Sequence, residues 1–140
     1  MATREIQPLK PHLNDPLFHP FWEGAQAQKL MLRQCNNCKA YQWPPRPMCA
    51  NCSGCSFSWV EGDGEGRVYT YVVAHRAFHP SFEDRVPYIL VVVDVAPGVR
   101  ILGNLLGTPP EKVKIGMPVS VEFVKQLGGS TLVCWRPKSE

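Results

Sequence analysis

The stretch Cys35-Asn36-Asn37-Cys38 and the stretch Cys49-Ala50-Asn51-Cys52 decide how the N-terminal part of this 140-residue chain folds. Ten residues separate them, and these include the stiff segment Trp43-Pro44-Pro45-Arg46-Pro47. Two cysteine pairs that face each other across a loop present four thiolates in a tetrahedron, the arrangement that Zn²⁺ takes with Zn–S distances of about 2.3 Å. Because the cysteines fill all four coordination positions, the predicted metal stabilises structure and leaves no open position for a reacting water.

Disulfides, an iron centre and free thiols are the alternatives to zinc at these cysteines. Residues 1–30 contain neither a secretory signal nor a long apolar run, so we expect a cytoplasmic protein, in which disulfides rarely persist. An Fe(Cys)₄ centre of the rubredoxin type uses the same ligands and spacing. Iron therefore stays the main chemical alternative.

Two details depart from an ideal pair of cysteine turns. Lys39 and Ser53 follow the second cysteine of each pair, where glycine would favour a tight left-handed turn, so we expect that turn to be less favourable here. Cys55 forms a further Cys-x-x-Cys pair with Cys52 and could replace a neighbouring ligand. A small, semi-buried residue is the simpler interpretation of Cys55.

Composition and charge bound the class of protein. The formal charge of +3 becomes +1 when four thiolates and one Zn²⁺ are counted, and the lysines and arginines are scattered singly. Strong attraction to nucleic acid or to an anionic membrane is therefore not expected. With 14 prolines and 11 glycines, the chain should be rich in turns and mainly β.

The N-terminal part is predicted to be a tail, a helix and a metal-binding ribbon. Residues 1–14 are polar and aperiodic, which predicts an extended tail. Asp15-Pro16 precedes apolar residues at helical spacing, so we expect a short helix that begins there or at Pro20. Strands at 29–33 and 56–61 would flank the cysteines, which gives a helix and zinc-ribbon domain at 15–61.

The C-terminal part is predicted to be a barrel. The glycine-rich residues 62–66 form a linker, and 67–137 contain five β segments with one short helical turn at 109–114 between the third and the fourth. This order is typical of an OB-fold barrel, with an SH3-like barrel as the nearest alternative. The predicted strands lie at 67–74, 88–95, 99–105, 118–124 and 131–136. Residues 88–93 are apolar throughout, which predicts a strand buried on both faces.

Several short motifs accompany the cysteine pairs and Pro44-Pro45-Arg46. They are Trp59-Val60-Glu61, Gly66-x-Val68-Tyr69-Thr70-Tyr71, His75-Arg76-Ala77-Phe78-His79-Pro80, Val86-Pro87-Tyr88, Ile115-Gly116-Met117-Pro118-Val119, and Phe21-Trp22 before Lys29-Leu30. Together these motifs resemble a family that joins a zinc ribbon to an OB fold, and the resemblance covers about residues 15–137, nearly the whole chain. Members of that family are associated with acyl-CoA metabolism, and the family was long catalogued as a domain of unknown function.

The resemblance implies an accessory subunit that is not catalytic alone. Such proteins pair with thiolase-fold subunits in thiolases, acyltransferases and steroid side-chain aldolases, where they help to bind or channel the acyl-CoA. The catalytic residues then belong to the partner. The expectation is a hetero-oligomer that shares a coenzyme A thioester with its thiolase-fold partner.

The loop at residues 75–85 is the candidate contact surface for a partner or for acyl-CoA, through Arg76, Phe78, His79, Phe82 and Arg85. The arginines could reach a phosphate or a carboxylate, and aromatic rings are frequent at interfaces. The alternative is that one phenylalanine plugs the barrel end and the arginines are solvated. Histidine, serine and aspartate lie close in this loop, but a catalytic triad needs a base oriented across the fold, so independent catalysis is not expected.

Two further functions compete with the accessory role. Tyr69, Tyr71 and Val73 would share one strand face by the period of two, which could form a stacking platform for single-stranded nucleic acid. No stripe of arginine or lysine accompanies these tyrosines, so this is the second choice. An electron-transfer protein with iron at the four cysteines is the third. Cys134 is interpreted as a buried strand residue.

Overall fold

The N-terminal helix starts where the sequence places its proline. A computed structural model describes residues 11–126 and 128–138, so most of the predicted tail at 1–14 lies outside the described residues. Helix α1 (His19–Gln26) has Pro20 in its first turn. Asp15 instead caps the preceding turn, since its Oδ1 accepts a hydrogen bond from the Leu17 N–H at 3.0 Å. No helix among the described residues is long and apolar enough to cross a bilayer.

A small antiparallel sheet follows the helix. Its strands are β1 (Met31–Cys35), β2 (Tyr41–Gln42) and β3 (Phe57–Glu61), in the order β2-β1-β3. Strand β1 begins two residues later than predicted and therefore runs directly into the first cysteine. Cys35 pairs with Phe57 of β3, so the sheet fixes the position of one candidate metal ligand.

The remaining strands form the predicted OB-type barrel. They are β4 (Glu65–Ala74), β5 (Tyr88–Ala96), β6 (Val99–Leu105), β7 (Pro118–Lys125) and β8 (Thr131–Pro137), and the closed barrel has the order β4-β5-β6-β8-β7. A 3₁₀ turn at Pro110–Lys112 lies between β6 and β7, where a helical turn was predicted. Strand β4 begins at Glu65, inside the segment predicted as a linker.

The expectation that residues 88–93 are buried on both faces is wrong. Ile89, Val91 and Val93 point into the barrel and are almost fully buried, but Leu90 and Val92 on the outer face are only half-buried. The strand lies between β4 and β6, so its edges are paired while the outer face has incomplete cover. A run of apolar residues therefore identified a central strand without identifying its exposed side.

Helix α1 connects the ribbon to the barrel near the place where β6 and β8 meet. Among the described residues, β6 and β8 pair in parallel only at Leu105 and Trp135, whereas β7 and β8 pair along seven positions. Helix α1 contacts both β1 of the ribbon and β8 of the barrel. Phe21 and Ala25 of the helix are buried in the same hydrophobic cluster as the barrel core.

Candidate metal centre and contact surface

The four predicted cysteine ligands converge. Their sulfur atoms all lie within 4.8 Å of one another, and the Cys35–Cys52 and Cys38–Cys49 Sγ distances are 3.6 Å and 3.7 Å. A tetrahedron with metal–sulfur distances of about 2.3 Å places neighbouring sulfurs about 3.8 Å apart. A disulfide needs sulfurs about 2.05 Å apart, and all four cysteines are free. The cluster therefore fits a metal ion, and the disulfide alternative does not hold.

Two equivalent backbone turns present the sulfurs. Cys35 donates its N–H to the Ala40 carbonyl, and Lys39 donates to the Cys35 carbonyl at 3.0 Å. Cys49 repeats the pattern with the Gly54 carbonyl, and Ser53 donates to the Cys49 carbonyl at 2.9 Å. In each turn, the first cysteine thus donates its N–H to the carbonyl five residues later, and its own carbonyl accepts from the N–H four residues later.

The expected weakness of these turns did not prevent them from forming. Lys39 and Ser53 adopt the left-handed conformation with φ of 65° and 64°. A side chain in that region costs about 1–2 kcal/mol, which glycine would avoid. The ribbon therefore carries a small backbone strain at both turns, and the closing hydrogen bonds hold it in place.

Gly54 is required by a close approach rather than by a left-handed turn. A Cβ at this position would lie 3.2 Å from the Cys52 sulfur and 3.7 Å from the Cys35 sulfur. A larger side chain would press on two candidate ligands at once. The sequence shows a glycine beside the second cysteine pair, but only the fold shows that it avoids a clash with the sulfur atoms of Cys52 and Cys35.

The local surroundings shift the pKa values of the cysteine thiols in different directions. The Asn51 side chain, followed by the Ala40 backbone, lowers the pKa of Cys38 to about 6. The Asn37 side chain lowers the pKa of Cys52, since its Nδ2 lies 3.4 Å from the sulfur. Backbone hydrogen bonds from Cys52 and Asn51 act in the same sense on Cys49, but burial and the Cys38 thiol outweigh them and raise its pKa. Thiolates this close to one another repel, and a bound cation would offset that repulsion.

The other two cysteines lie outside the cluster. Cys55 is exposed, and its sulfur lies 4.0 Å from the Ser53 carbonyl oxygen. Cys134 is buried in β8, as predicted, and burial raises the pKa of its thiol. Neither is part of the four-sulfur group that the described residues form.

The loop between β4 and β5 exposes one ring and packs the other. Phe78 is 78% exposed, with the Arg76 guanidinium 5.8 Å from its ring centroid. Phe82 is half-buried against Tyr88, with ring centroids 5.0 Å apart. The two predicted roles of this loop therefore divide between its two rings: Phe78 faces solvent, and Phe82 packs against the barrel.

His79 orders this loop. Its Nδ1 accepts a hydrogen bond from the Ser81 N–H at 3.2 Å and lies 2.7 Å from Ser81 Oγ, which caps the 3₁₀ segment Pro80–Arg85. In the part of the chain that the structure describes, no carboxylate hydrogen-bonds to His79 and could orient it as a base. Arg85 closes the segment, with its guanidinium 5.6 Å from the Phe82 ring centroid.

The predicted tyrosine platform does not form. The pairing of β4 with β5 shifts between Val68 and Thr70, so Tyr69 occupies a β-bulge. Tyr71 and Val73 then pack against the barrel core, while Tyr69 is exposed and lies under the Arg100 guanidinium at 3.7 Å. The strict period of two was the wrong assumption, because a bulge inserts one residue and reverses the facing of the next.

Comparison with known proteins matches both parts of the chain. Residues 22–57 match the ChsH2 rubredoxin-like zinc ribbon domain, and residues 59–124 match the ChsH2 C-terminal OB-fold domain. A DUF35 domain-containing scaffold protein from Methanocaldococcus jannaschii is 33% identical over 131 residues, which cover 91% of this chain and 92% of that protein.

Two further similarities concern proteins of assemblies. A probable enoyl-CoA hydratase alpha subunit from Thermomonospora curvata is 39% identical over 118 residues, 84% of this chain. The matched region spans only 36% of that relative's length. A chain of the solved Ltp2-ChsH2(DUF35) aldolase superposes with a TM-score of 0.82 at 35% identity, covering 91% of this chain and 98% of that chain.

Proposed function

This chain belongs to the DUF35 family of joined zinc-ribbon and OB-fold proteins, and we propose that it is a non-catalytic accessory subunit of a thiolase-type complex that acts on acyl-CoA thioesters. In this role it helps to bind or channel the coenzyme A substrate and stabilises the assembly. The partner is a thiolase-fold subunit that holds the catalytic residues for thiolase, acyltransferase or aldolase chemistry.

The observation that carries this proposal is the similarity, over nearly the full length of both chains, to the DUF35 component of the Ltp2-ChsH2 aldolase. That component is described together with a second protein and with an activity that makes or breaks a carbon–carbon bond. The names of two relatives, a scaffold protein and a hydratase alpha subunit acting on enoyl-CoA, agree with a supporting role around CoA thioesters.

The loop at 75–85 is the proposed contact surface of the barrel. Phe78 projects into solvent directly before the 3₁₀ segment that His79 caps, so its ring is accessible to a partner. Exposed aromatic and arginine side chains of this kind often dominate binding energies at interfaces. Arg76 and Arg85 flank the phenylalanines and supply cations for a phosphate or carboxylate.

We propose Zn²⁺ as the structural metal of the ribbon, held by Cys35, Cys38, Cys49 and Cys52. The all-sulfur tetrahedral set suits zinc, and the short chain segments around it contain few buried apolar residues of their own. Iron would give the same geometry but a visible thiolate-to-iron absorption, so the colour and elemental content of the purified protein separate the two metals.

Partner capture tests the accessory role. The native protein should co-purify with a thiolase-fold protein in a fixed stoichiometry, measured by mass spectrometry of the intact assembly. Substituting Phe78→Ser should weaken that assembly about thirtyfold, which corresponds to about 2 kcal/mol. The matched control is Ile115→Ser, another exposed apolar residue on the barrel, outside the 75–85 loop. A native protein that recovers no thiolase-fold partner would refute the proposal.

A further inference from the structure

A cavity of about 400 Å³ opens where α1, the ribbon and the barrel meet. Aromatic rings of Phe21, Trp22 and Trp43 form one side, and Leu102 and Leu132 of the barrel form the other. A volume in the range of about 300–1,000 Å³ with a mainly apolar lining is typical of small-molecule sites. We call this space the seam cavity.

The seam cavity follows from how the barrel closes. Beyond the single Leu105–Trp135 pair, β6 and β8 approach each other at Gly103, where a Cβ would lie 2.8 Å from the Val133 carbonyl oxygen and 3.1 Å from the Trp135 indole. Glycine therefore lets the two strands approach closely here, and the helix, Trp43 of the ribbon loop and Phe82 of the 75–85 loop line the space beside them.

The aromatic wall is held in place by its own contacts. The Phe21 and Trp43 ring centroids lie 4.5 Å apart, and Phe18 meets Trp43 edge-on at 6.0 Å. Phe21 is buried beneath these contacts. The wall thus joins the helix to the loop between the two cysteine pairs.

A second, more polar cavity of about 370 Å³ continues from the first. The two share six lining residues, Ser81, Arg85, Asn104, Gln126, Leu132 and Cys134, and the second adds the charged side chains Lys125 and Asp84. Two cations therefore face one carboxylate. Neither cation forms a salt bridge with a described residue. Burial raises the pKa of Cys134, so its thiol adds no negative charge between the cavities.

We propose that the two cavities form one amphipathic binding site, in which the seam cavity holds an acyl chain and the second cavity holds its polar or anionic head. The apolar wall and the adjoining cations match the two ends of such a ligand. This proposal deepens the proposed function and takes its ligand class from it, since the site would place the acyl group of the shared substrate within this chain. A fatty acid carries its negative charge on the carboxylate at the end of the chain, whereas a CoA thioester is neutral there and carries its charge on the phosphates, and the experiment distinguishes the two.

Direct binding to the purified full-length chain tests this site. Octanoate, octanoyl-CoA and coenzyme A alone are titrated while tryptophan fluorescence is recorded, because two of the four tryptophans line the seam cavity. The acylated ligand or the carboxylate should change the fluorescence with saturation, and coenzyme A alone should not. The tighter of the two identifies the natural head. Coenzyme A binding as tightly as octanoyl-CoA would overturn the proposal.

Two substitutions of equal exposure localise the binding. Leu102 lines the seam cavity and is 63% exposed, whereas Val72 lies on the same sheet, outside the cavity, and is 59% exposed. Leu102→Asp should raise the dissociation constant about tenfold or more, because a carboxylate would stand in the apolar wall. Val72→Asp should leave it unchanged. Equal effects of the two substitutions would refute the assignment of the site.

Substitution of the two cations in the second cavity tests whether that cavity binds the anionic head of the ligand. The double substitution Arg85→Gln with Lys125→Gln should weaken binding of the anionic ligand, while Lys112→Gln with Lys114→Gln, which removes the same charge elsewhere, should not. If no acylated ligand binds the chain but the thiolase-fold partner is still captured, this inference fails and the proposed function stands. If ligand binds and no partner is captured, the proposed function fails and the site remains.

Discussion

The ribbon and the barrel reach stability by different means. The buried apolar side chains of the ribbon, apart from cysteines, are Leu30 and Leu32, and both belong to the cluster that the barrel core forms, so the ribbon has no core of its own. The barrel buries a continuous core made of Val68, Ile89, Val91, Val93, Val99, Ile101, Leu105, Val113, Val119, Val133 and Trp135. A metal ion must therefore replace the missing core in one part, whereas ordinary packing suffices in the other.

The ribbon and the barrel also position different surfaces of the protein. The ribbon fixes a loop whose Trp43 packs on the helix, and the barrel displays the loop at 75–85. None of the four candidate ligands, Cys35, Cys38, Cys49 and Cys52, lines either of the two cavities. The metal centre thus acts on function only through the shape it gives to the chain.

Removing a metal ligand should have the largest effect. Cys49→Ser should release the metal and unfold the ribbon, because metal binding supplies about 10–16 kcal/mol in small zinc modules. Amide hydrogen exchange should rise across residues 31–61 and stay slow in β5 of the barrel. The wild-type chain should contain about one Zn²⁺ by elemental analysis. If the ribbon and the barrel lost their hydrogen-exchange protection together, the two parts would not be stabilised separately. Cys55→Ser is the control and should retain the metal.

A core truncation in the barrel should give the opposite pattern. Ile101→Ala should lower the free energy of unfolding by about 2–5 kcal/mol, since Ile101 is almost fully buried. The four thiols should still bind their metal in the folded fraction. Leu102→Ala, at the exposed neighbouring position, should cost little. Thermal melting with parallel metal analysis measures both, and metal loss caused by Ile101→Ala would contradict independent stabilisation.

Much of this division could be predicted from sequence, because the spacing of Cys35, Cys38, Cys49 and Cys52 is a local signal and each barrel strand has a clear apolar run. The strand bounds agree within about two residues. Features that depend on pairing between distant segments could not be predicted. The bulge at Tyr69, the open side of β5 and the seam beside Gly103 all arise from which strand lies next to which.

The two phenylalanines of the contact loop should separate affinity from stability. Phe82→Ser should lower the melting temperature by several degrees, because it removes the ring contact with Tyr88 and exposes partly buried surface. Phe78→Ser should leave melting unchanged and weaken only partner binding. Calorimetry on each variant, with affinity measured on the folded fraction, distinguishes them. Equal destabilisation by both would mean that the loop has no free contact ring.

Relief of backbone strain should give the smallest effect. Ser53→Gly should stabilise the metal-loaded ribbon by about 0.5 kcal/mol, because the left-handed strain it removes slightly exceeds the entropy that glycine adds to the unfolded chain. Ser58→Gly, at the second position of β3, is the comparison and should destabilise, because it adds entropy to the unfolded chain and removes the hydrogen bond from Ser58 Oγ to Asn36 Oδ1. Metal-release rates under a competing chelator report both. Destabilisation by Ser53→Gly would show that this side chain contributes more than the structure indicates.

Reconstitution of activity tests the central claim most directly. The purified chain is assayed for thiolase, acyltransferase and aldolase turnover with acyl-CoA substrates, alone and with the thiolase-fold protein that co-purifies with it. We predict no turnover by the chain alone, since no described residue combines a nucleophile with an oriented base. Turnover should appear when the two proteins are combined at their native stoichiometry. Activity of the isolated chain, or full activity of the partner without it, would contradict the accessory role.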